Sequence, residues 1–159
     1  MFKLLTPLIA GGTILASAIT PVSALSQSTE TQVPYVTTSR ALPRNARVSS
    51  AKYQLGLMVG GYPISEVSVG IPDLVRIGSV SVQGQDRQLI ETTTSVEDGT
   101  ALIKFAQPVA PGTPLRIELS SVQTQPRSGR IWMLPISVQE AGSARNIPIG
   151  MARVHTYSN

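Results

Sequence analysis

From residue 51 onward, apolar side chains recur at every second position in short bursts, each closed by a turn-forming residue. Tyr53, Leu55, Leu57 and Val59 alternate with Lys52, Gln54, Gly56 and Met58, and Gly60-Gly61 ends the run. A period of two sends alternate side chains to opposite faces of an extended chain, so the burst predicts a strand with one apolar face. Val67, Val69 and Ile71 form a second such run, ended by Pro72, which offers no donor to a sheet ladder. Val80 and Val82 mark a short strand before Gly84, and residues 89–94 are rich in β-branched side chains but alternate weakly.

Asp98-Gly99, after Glu97, has the strongest hairpin signal in the chain, because both residue types accept the positive φ that a tight hairpin turn demands. Residues 101–122 follow as strand, turn and strand, and the rest of the domain is expected to organise around this hairpin. Ala101, Ile103 and Phe105 line one face before the loop and Leu115, Ile117 and Leu119 line one face after it. Pro111-Gly112 fits the centre of a type II turn between them. Trp132, Leu134, Ile136 and Val138 share a face of a later strand, while Pro135 points the other way and argues for an edge position or a bulge. Residues 147–157 return as a last strand that Gly150 is placed to bend.

Seven to eight short strands with no helical period among them predict an all-β domain. An immunoglobulin-like β-sandwich is the expected architecture, and a small β-barrel is the alternative, since one inward face per strand satisfies both. Exposed sheet edges in such a fold can accept a strand from a second copy or from a partner peptide.

The N-terminus breaks this pattern. Lys3 precedes an apolar stretch over residues 4–19, and Val22-Ser23-Ala24 has the small-residue spacing of a cleavage site, so residues 1–24 read as a signal peptide. Pro7 and Gly11-Gly12 weaken the rival reading of a membrane-spanning anchor. Residues 25–50 turn to Ser, Thr, Gln, Pro and Arg without sustained alternation and read as a mobile linker, with the β-sandwich domain over residues 51–159. The expected location is outside the cytoplasm, periplasmic or extracellular, with no stable transmembrane anchor once the leader is cleaved.

Composition narrows the functions. Of 159 residues only 14% are charged and 4% aromatic, and the net charge of +4 falls to +3 when Lys3 leaves with the leader. That is too weak and scattered a positive balance for a nucleic-acid binder. The absence of cysteine excludes disulfides, thiolate metal sites and cysteine nucleophiles.

Few residues carry candidate chemistry. His155 is the only histidine, and without a nucleophile motif or a nearby acid in sequence it reads as a strand residue more readily than as a catalytic base. Asp73, Glu97 and Asp98 are the carboxylates to nominate for a metal, though Glu97-Asp98-Gly99 is also an ordinary polar turn. His155 with Met133 and Met151 is the only set suited to copper. Arg40, Arg44 and Arg47 lie close together with no acidic neighbour and could dock an acidic partner, as well as simply solvating a linker. Trp132, with Tyr53, Tyr62 and Tyr157, could stack on sugar rings, but the face it shares with Leu134 and Ile136 places it between the sheets. No cofactor is implied.

Four phrases in order carry a resemblance: the strand ending near Val59, Val67-Ser68-Val69-Gly70-Ile71-Pro72-Asp73, the run from Ile103-Lys104-Phe105 through Pro108 to Pro111-Gly112, and Ile149-Gly150-Met151-Ala152-Arg153-Val154. Across residues 53–157 the chain resembles the exported cyanobacterial family called domain of unknown function 2808. The resemblance implies an exported, periplasmic or extracellular domain and supplies no catalytic or binding residues. The expectation is therefore a non-catalytic exported sandwich that contacts an envelope protein or polysaccharide, with a carbohydrate-binding module or a periplasmic metal-binding protein as the alternatives.

Overall fold

A computed structural model describes residues 32–125 and 129–158, and they form two five-stranded antiparallel sheets packed face to face. In chain order the strands are β1 (Tyr35–Leu42), β2 (Ala51–Met58), β3 (Ile64–Gly70), β4 (Val75–Arg76), β5 (Ser79–Gln83), β6 (Thr92–Glu97), β7 (Thr100–Val109), β8 (Pro114–Thr124), β9 (Arg130–Glu140) and β10 (Asn146–Thr156). One sheet runs β1-β2-β8 and ends on β4 and β5, which both pair with β8, and the other runs β10-β9-β3-β7-β6. The expected sandwich is the observed architecture.

Its core follows from the period-two pattern. Tyr53, Leu55 and Leu57 of β2 and Leu115, Ile117 and Leu119 of β8 face Val67, Val69, Ile103, Leu134, Ile136 and Val138 of the opposite sheet, all of them buried. Two bulges let the alternation change phase without losing an inward residue. In β8 the extra residue falls near Ser121, which has φ 54, so burial passes from Leu119 to Val122 and Thr124. In β10 the register shifts between Pro148 and Gly150, and the inward set becomes Ala152, Val154 and Thr156.

Several expectations need correction. The linker expected over residues 25–50 is strand at 35–42, where β1 pairs with β2 from Tyr35↔Met58 to Leu42↔Lys52. The sandwich therefore begins at least sixteen residues before Ala51 by the bounds of β1 and β2. The leader expected at residues 1–24 lies outside the described residues.

The run 101–122 is not a hairpin. β7 belongs to one sheet and β8 to the other, so the Pro111-Gly112 turn carries the chain across the sandwich. There Gly112 adopts φ 77 and its N–H donates to the Val59 carbonyl at 2.9 Å. The hairpin expected at Asp98-Gly99 does form. Glu97 pairs with Thr100, and φ values of 48 and 71 at the two loop residues give the primed turn that suits strand twist.

Pro135 lies in β9, an inner strand, opposite Met151. Room for its ring comes from Gly70 on β3, where an added Cβ would meet Pro135 Cγ at 2.5 Å. The bulge of β10 lies one pair away, at Ile136↔Gly150.

An arginine-lined seam as the candidate functional site

The two sheets meet along one side through β1 and β10. Ser39 Oγ donates to the Arg153 carbonyl at 2.8 Å and accepts from the Arg153 N–H at 3.1 Å, so one side chain satisfies both backbone groups at the edge of β10. Beyond Leu42 the chain crosses to the end of β10, where Ala46 N–H donates to Tyr157 O at 2.8 Å and Tyr157 N–H donates to Arg44 O at 2.7 Å. Asn45 and Tyr157 pair as a parallel bridge. These bonds fix a short rigid frame on which charged side chains are displayed.

Over that frame run two adjoining open cavities. One, of about 260 Å³, is lined by Ser39, Arg40, Arg44, His155 and Tyr157. The other, of about 440 Å³, is lined by Arg130, Ile131, His155, Tyr157 and neighbouring backbone. His155 and Tyr157 belong to both, so the pair forms one groove with arginines at each end.

The arginines are held rather than loosely tethered. Arg40 Nε donates to Gln54 Oε1 at 2.9 Å, a bond that uses neither terminal nitrogen of the guanidinium. Those two nitrogens form the fork that grips a carboxylate or a similar planar anion. The Arg130 guanidinium lies 5.2 Å from the centre of the Trp132 ring, a cation–π contact that steadies it.

Among the described residues no carboxylate lines either cavity. Residues 32–47, 129–139 and 146–158 contain Arg40, Arg44, Arg47, Arg130 and Arg153 and not one Asp or Glu. The opposite side of the molecule, along β6 and the loop after β3, carries Asp73, Glu91, Glu97 and Asp98 against Arg76. The charge is therefore separated across the domain, and the seam is its positive pole.

The structure thus brings together Arg40, Arg44, His155 and Tyr157 from the sequence candidates and leaves the others apart. Arg47 stays next to the seam in sequence, its N–H donating to Asn45 Oδ1 at 2.9 Å. Trp132 is withdrawn from any surface role. It is 4% exposed, and its indole N–H donates to Thr156 Oγ1 at 3.3 Å inside the core. Tyr53 is fully buried as well, so a stacking platform of Trp132 and Tyr53 does not exist.

The metal candidates do not assemble. Among the described residues no group of three or more His, Asp or Glu side chains is placed to hold an ion. Asp73 is in the loop after β3 and Glu97 and Asp98 are in the β6–β7 turn, whereas His155 is on the seam. His155, Met133 and Met151 do share the outer face of β9 and β10. Arg153 sits between Met151 and His155 along β10 and directly opposite Met133, and its positive charge opposes a bound cation there.

A further hollow, of about 480 Å³, lies beneath the Gln85–Arg87 turn over β1, β2 and β8, with Thr37 and Thr38 of β1 on its wall. Asp86 and Arg87 both adopt positive φ at its rim. Asp86 balances Arg87, leaving only Arg116 unmatched, and the hollow has no aromatic side chain. The seam combines uniform charge with an exposed ring. Sequence alone could nominate its arginines, but not their meeting with residues more than one hundred positions away.

No family model and no curated protein matches this chain by sequence. Among solved structures it is similar to the collagen-binding domain of a Staphylococcus aureus adhesin, at 10% identity and a TM-score of 0.46 over 78% of this chain and 97% of that one. It is also similar to a non-cellulosomal cohesin from Archaeoglobus fulgidus, at 11% identity and a TM-score of 0.46 over 78% of this chain and 92% of that one. At such similarity no ligand or partner transfers to this chain, and the functional reading rests on its own surface. Among the described residues no helix is long and apolar enough to cross a membrane.

Proposed function

We propose that this chain is an exported, non-catalytic binding domain that holds an acidic polysaccharide of the cell envelope or of secreted polymer along the arginine-lined seam. The observation that carries the reading is the groove in which Arg40 and Arg44 at one end and Arg130 at the other flank His155 and Tyr157 without a carboxylate between them. Guanidinium forks match carboxylate and sulfate groups, and the Tyr157 ring, 52% exposed, offers an apolar face to a sugar. An open groove suits a chain of repeating units better than a small enclosed ligand. Export is supported by Lys3, the apolar stretch after it and Val22-Ser23-Ala24, and by the resemblance to an exported cyanobacterial family.

Polygalacturonate is a suitable probe because it carries one carboxylate on each sugar. The wild-type chain is expected to be retained on immobilised polygalacturonate at low ionic strength and released as salt rises, since exposed charge contacts are screened. Arg40→Ala with Arg44→Ala should weaken retention about tenfold, while Arg116→Ala, outside the groove, should leave it unchanged. Equal retention of all three proteins would sink the proposal, as would binding of the neutral polymer at the same strength.

A further inference from the structure

The seam closes one side of the sandwich, and the other side is open. Among the described residues β6 is the last strand of its sheet and pairs only with β7, through six consecutive residue pairs with no bulge. In an antiparallel strand every second residue directs its N–H and C=O away from its one neighbour, so an edge such as this offers ladder groups to a further strand. Proteins commonly block such edges with Lys, Pro, a bulge or a covering loop. The other edges here have those devices, except β4, which is only two residues long. β10 is capped by Ser39 and by residues 44–46, β1 has a register shift between Val36 and Thr38, and β5 is covered by the Ile90 N–H bonded to Val82 O at 2.9 Å. β6 has the sequence TTTSVE, with none of them, and five of its six residues are exposed.

Beside this edge the sheets part to leave a cavity of about 340 Å³ lined by Ile71, Pro72, Asp73, Val75, Arg76, Ile77, Val96 and Gly99. Val96 pairs with the buried Ala101 and so points to the inner face, yet it is 48% exposed on the wall of this cavity. A strand added to β6 would place its own inward side chain over Val96 and into this space. Glu91 stands at one end of β6 and Glu97 and Asp98 at the other, with Asp73 on the cavity wall. The nearby cations are Lys104, turned to Glu66 at 3.8 Å, and Arg76 on the cavity wall.

We infer that β6 is an acceptor site for an extended peptide of a protein partner, a segment with an aliphatic residue for the cavity and Lys or Arg at its ends. Main-chain bonds to β6 supply the affinity, the cavity selects one apolar side chain, and the acidic ends select a basic flank. The charges argue against self-pairing. An antiparallel β6–β6 contact centred on Thr94 would set Glu97 opposite Glu91 of the other copy, a like-charge pair.

The test uses the full chain labelled with ¹⁵N and the synthetic peptide Lys-Thr-Val-Thr-Val-Thr-Lys, with a copy carrying Glu at both ends as control. The basic peptide should shift the amide signals of residues 92–97 and of Val75 and Ile77, and slow hydrogen exchange along β6. Glu91→Lys with Glu97→Lys should weaken binding about tenfold at low salt, and Val96→Asp should abolish it with the thermal midpoint retained. Equal binding of the acidic control, or shifts elsewhere, would overturn the inference. So would protection, in the free chain, of the β6 amides that point away from β7, whether it is lost on cutting before Gln32 or rises with protein concentration, because the chain's own N-terminus or a second copy would then occupy the edge.

Discussion

Tyr53 gives this fold a sharp alkaline limit. Its side chain is fully buried in β2, opposite Ala41 of β1 and Leu119 of β8, and its hydroxyl has no hydrogen-bond partner among the described residues. Burial disfavours the phenolate and pushes the Tyr53 pKa up to about 12. An unfolded tyrosine ionises near pH 10, so between the two values the unfolded chain has released a proton that the folded chain still holds. Stability conferred by the neutral phenol is therefore fully present below about pH 10 and is lost as pH rises through the folded value. Two pH units make a loss of about 3 kcal/mol. Tyr53→Phe removes this loss. It also removes a desolvated hydroxyl, so stability at pH 8 should be unchanged or higher by as much as about 1 kcal/mol. Urea unfolding followed by Trp132 fluorescence, at half-unit steps from pH 8 to 12, isolates the effect as the difference between wild type and variant. A difference that stays flat across pH 10–12 would refute the reasoning. So would a loss of more than about 1 kcal/mol in the variant at pH 8, which would mean that the hydroxyl is bonded.

Three other outcomes follow from the packing. Gly70→Ala should cost about 1–3 kcal/mol in thermal unfolding through its clash with the Pro135 ring, and adding Pro135→Ala should recover most of it. Thr156→Val should cost about 1–3 kcal/mol in thermal unfolding, because the Thr156 hydroxyl accepts from the Trp132 indole and donates to the Arg130 carbonyl at 3.1 Å. Hydrogen bonds from Lys52 at 2.7 Å and Gln54 at 3.1 Å hold the Glu118 carboxyl below its ordinary range. That stability is present above the unfolded carboxylate pKa and lost as pH falls through the folded one, so Glu118→Gln should flatten the acid limb of the stability curve.

The strands most legible in the sequence are those whose alternate residues are buried on both sides of a central position. β2, β3 and β9 are of this kind, and the inward faces expected for them are the observed ones. β1 was illegible for a physical reason. Only Ala41 among its eight residues is buried, since the strand lies at a sheet edge and is held by its ladder to β2 rather than by an apolar face. The crossing from β7 to β8 was misread because local alternation is the same whether the next strand pairs with the last or joins the opposite sheet. At the site, Arg40, Arg44 and His155 could each be nominated, and His155 by rarity alone. Their convergence depends on residues 44–46 pairing with Tyr157, and period and composition are blind to contacts of that span. The open cavity beside Val96 is hidden in the same way, because it exists only where the two sheets part.

The central claim is that the arginine-lined seam is where the ligand lies, and the most direct measurement is a map of amide signals in the ¹⁵N-labelled full chain titrated with polygalacturonate. The account predicts that the largest changes fall on Ser39, Arg40, Arg44, Arg130, His155 and Tyr157 and fade as ionic strength rises. Changes centred on the hollow at Asp86 and Arg87, or none at all at low salt, would contradict it.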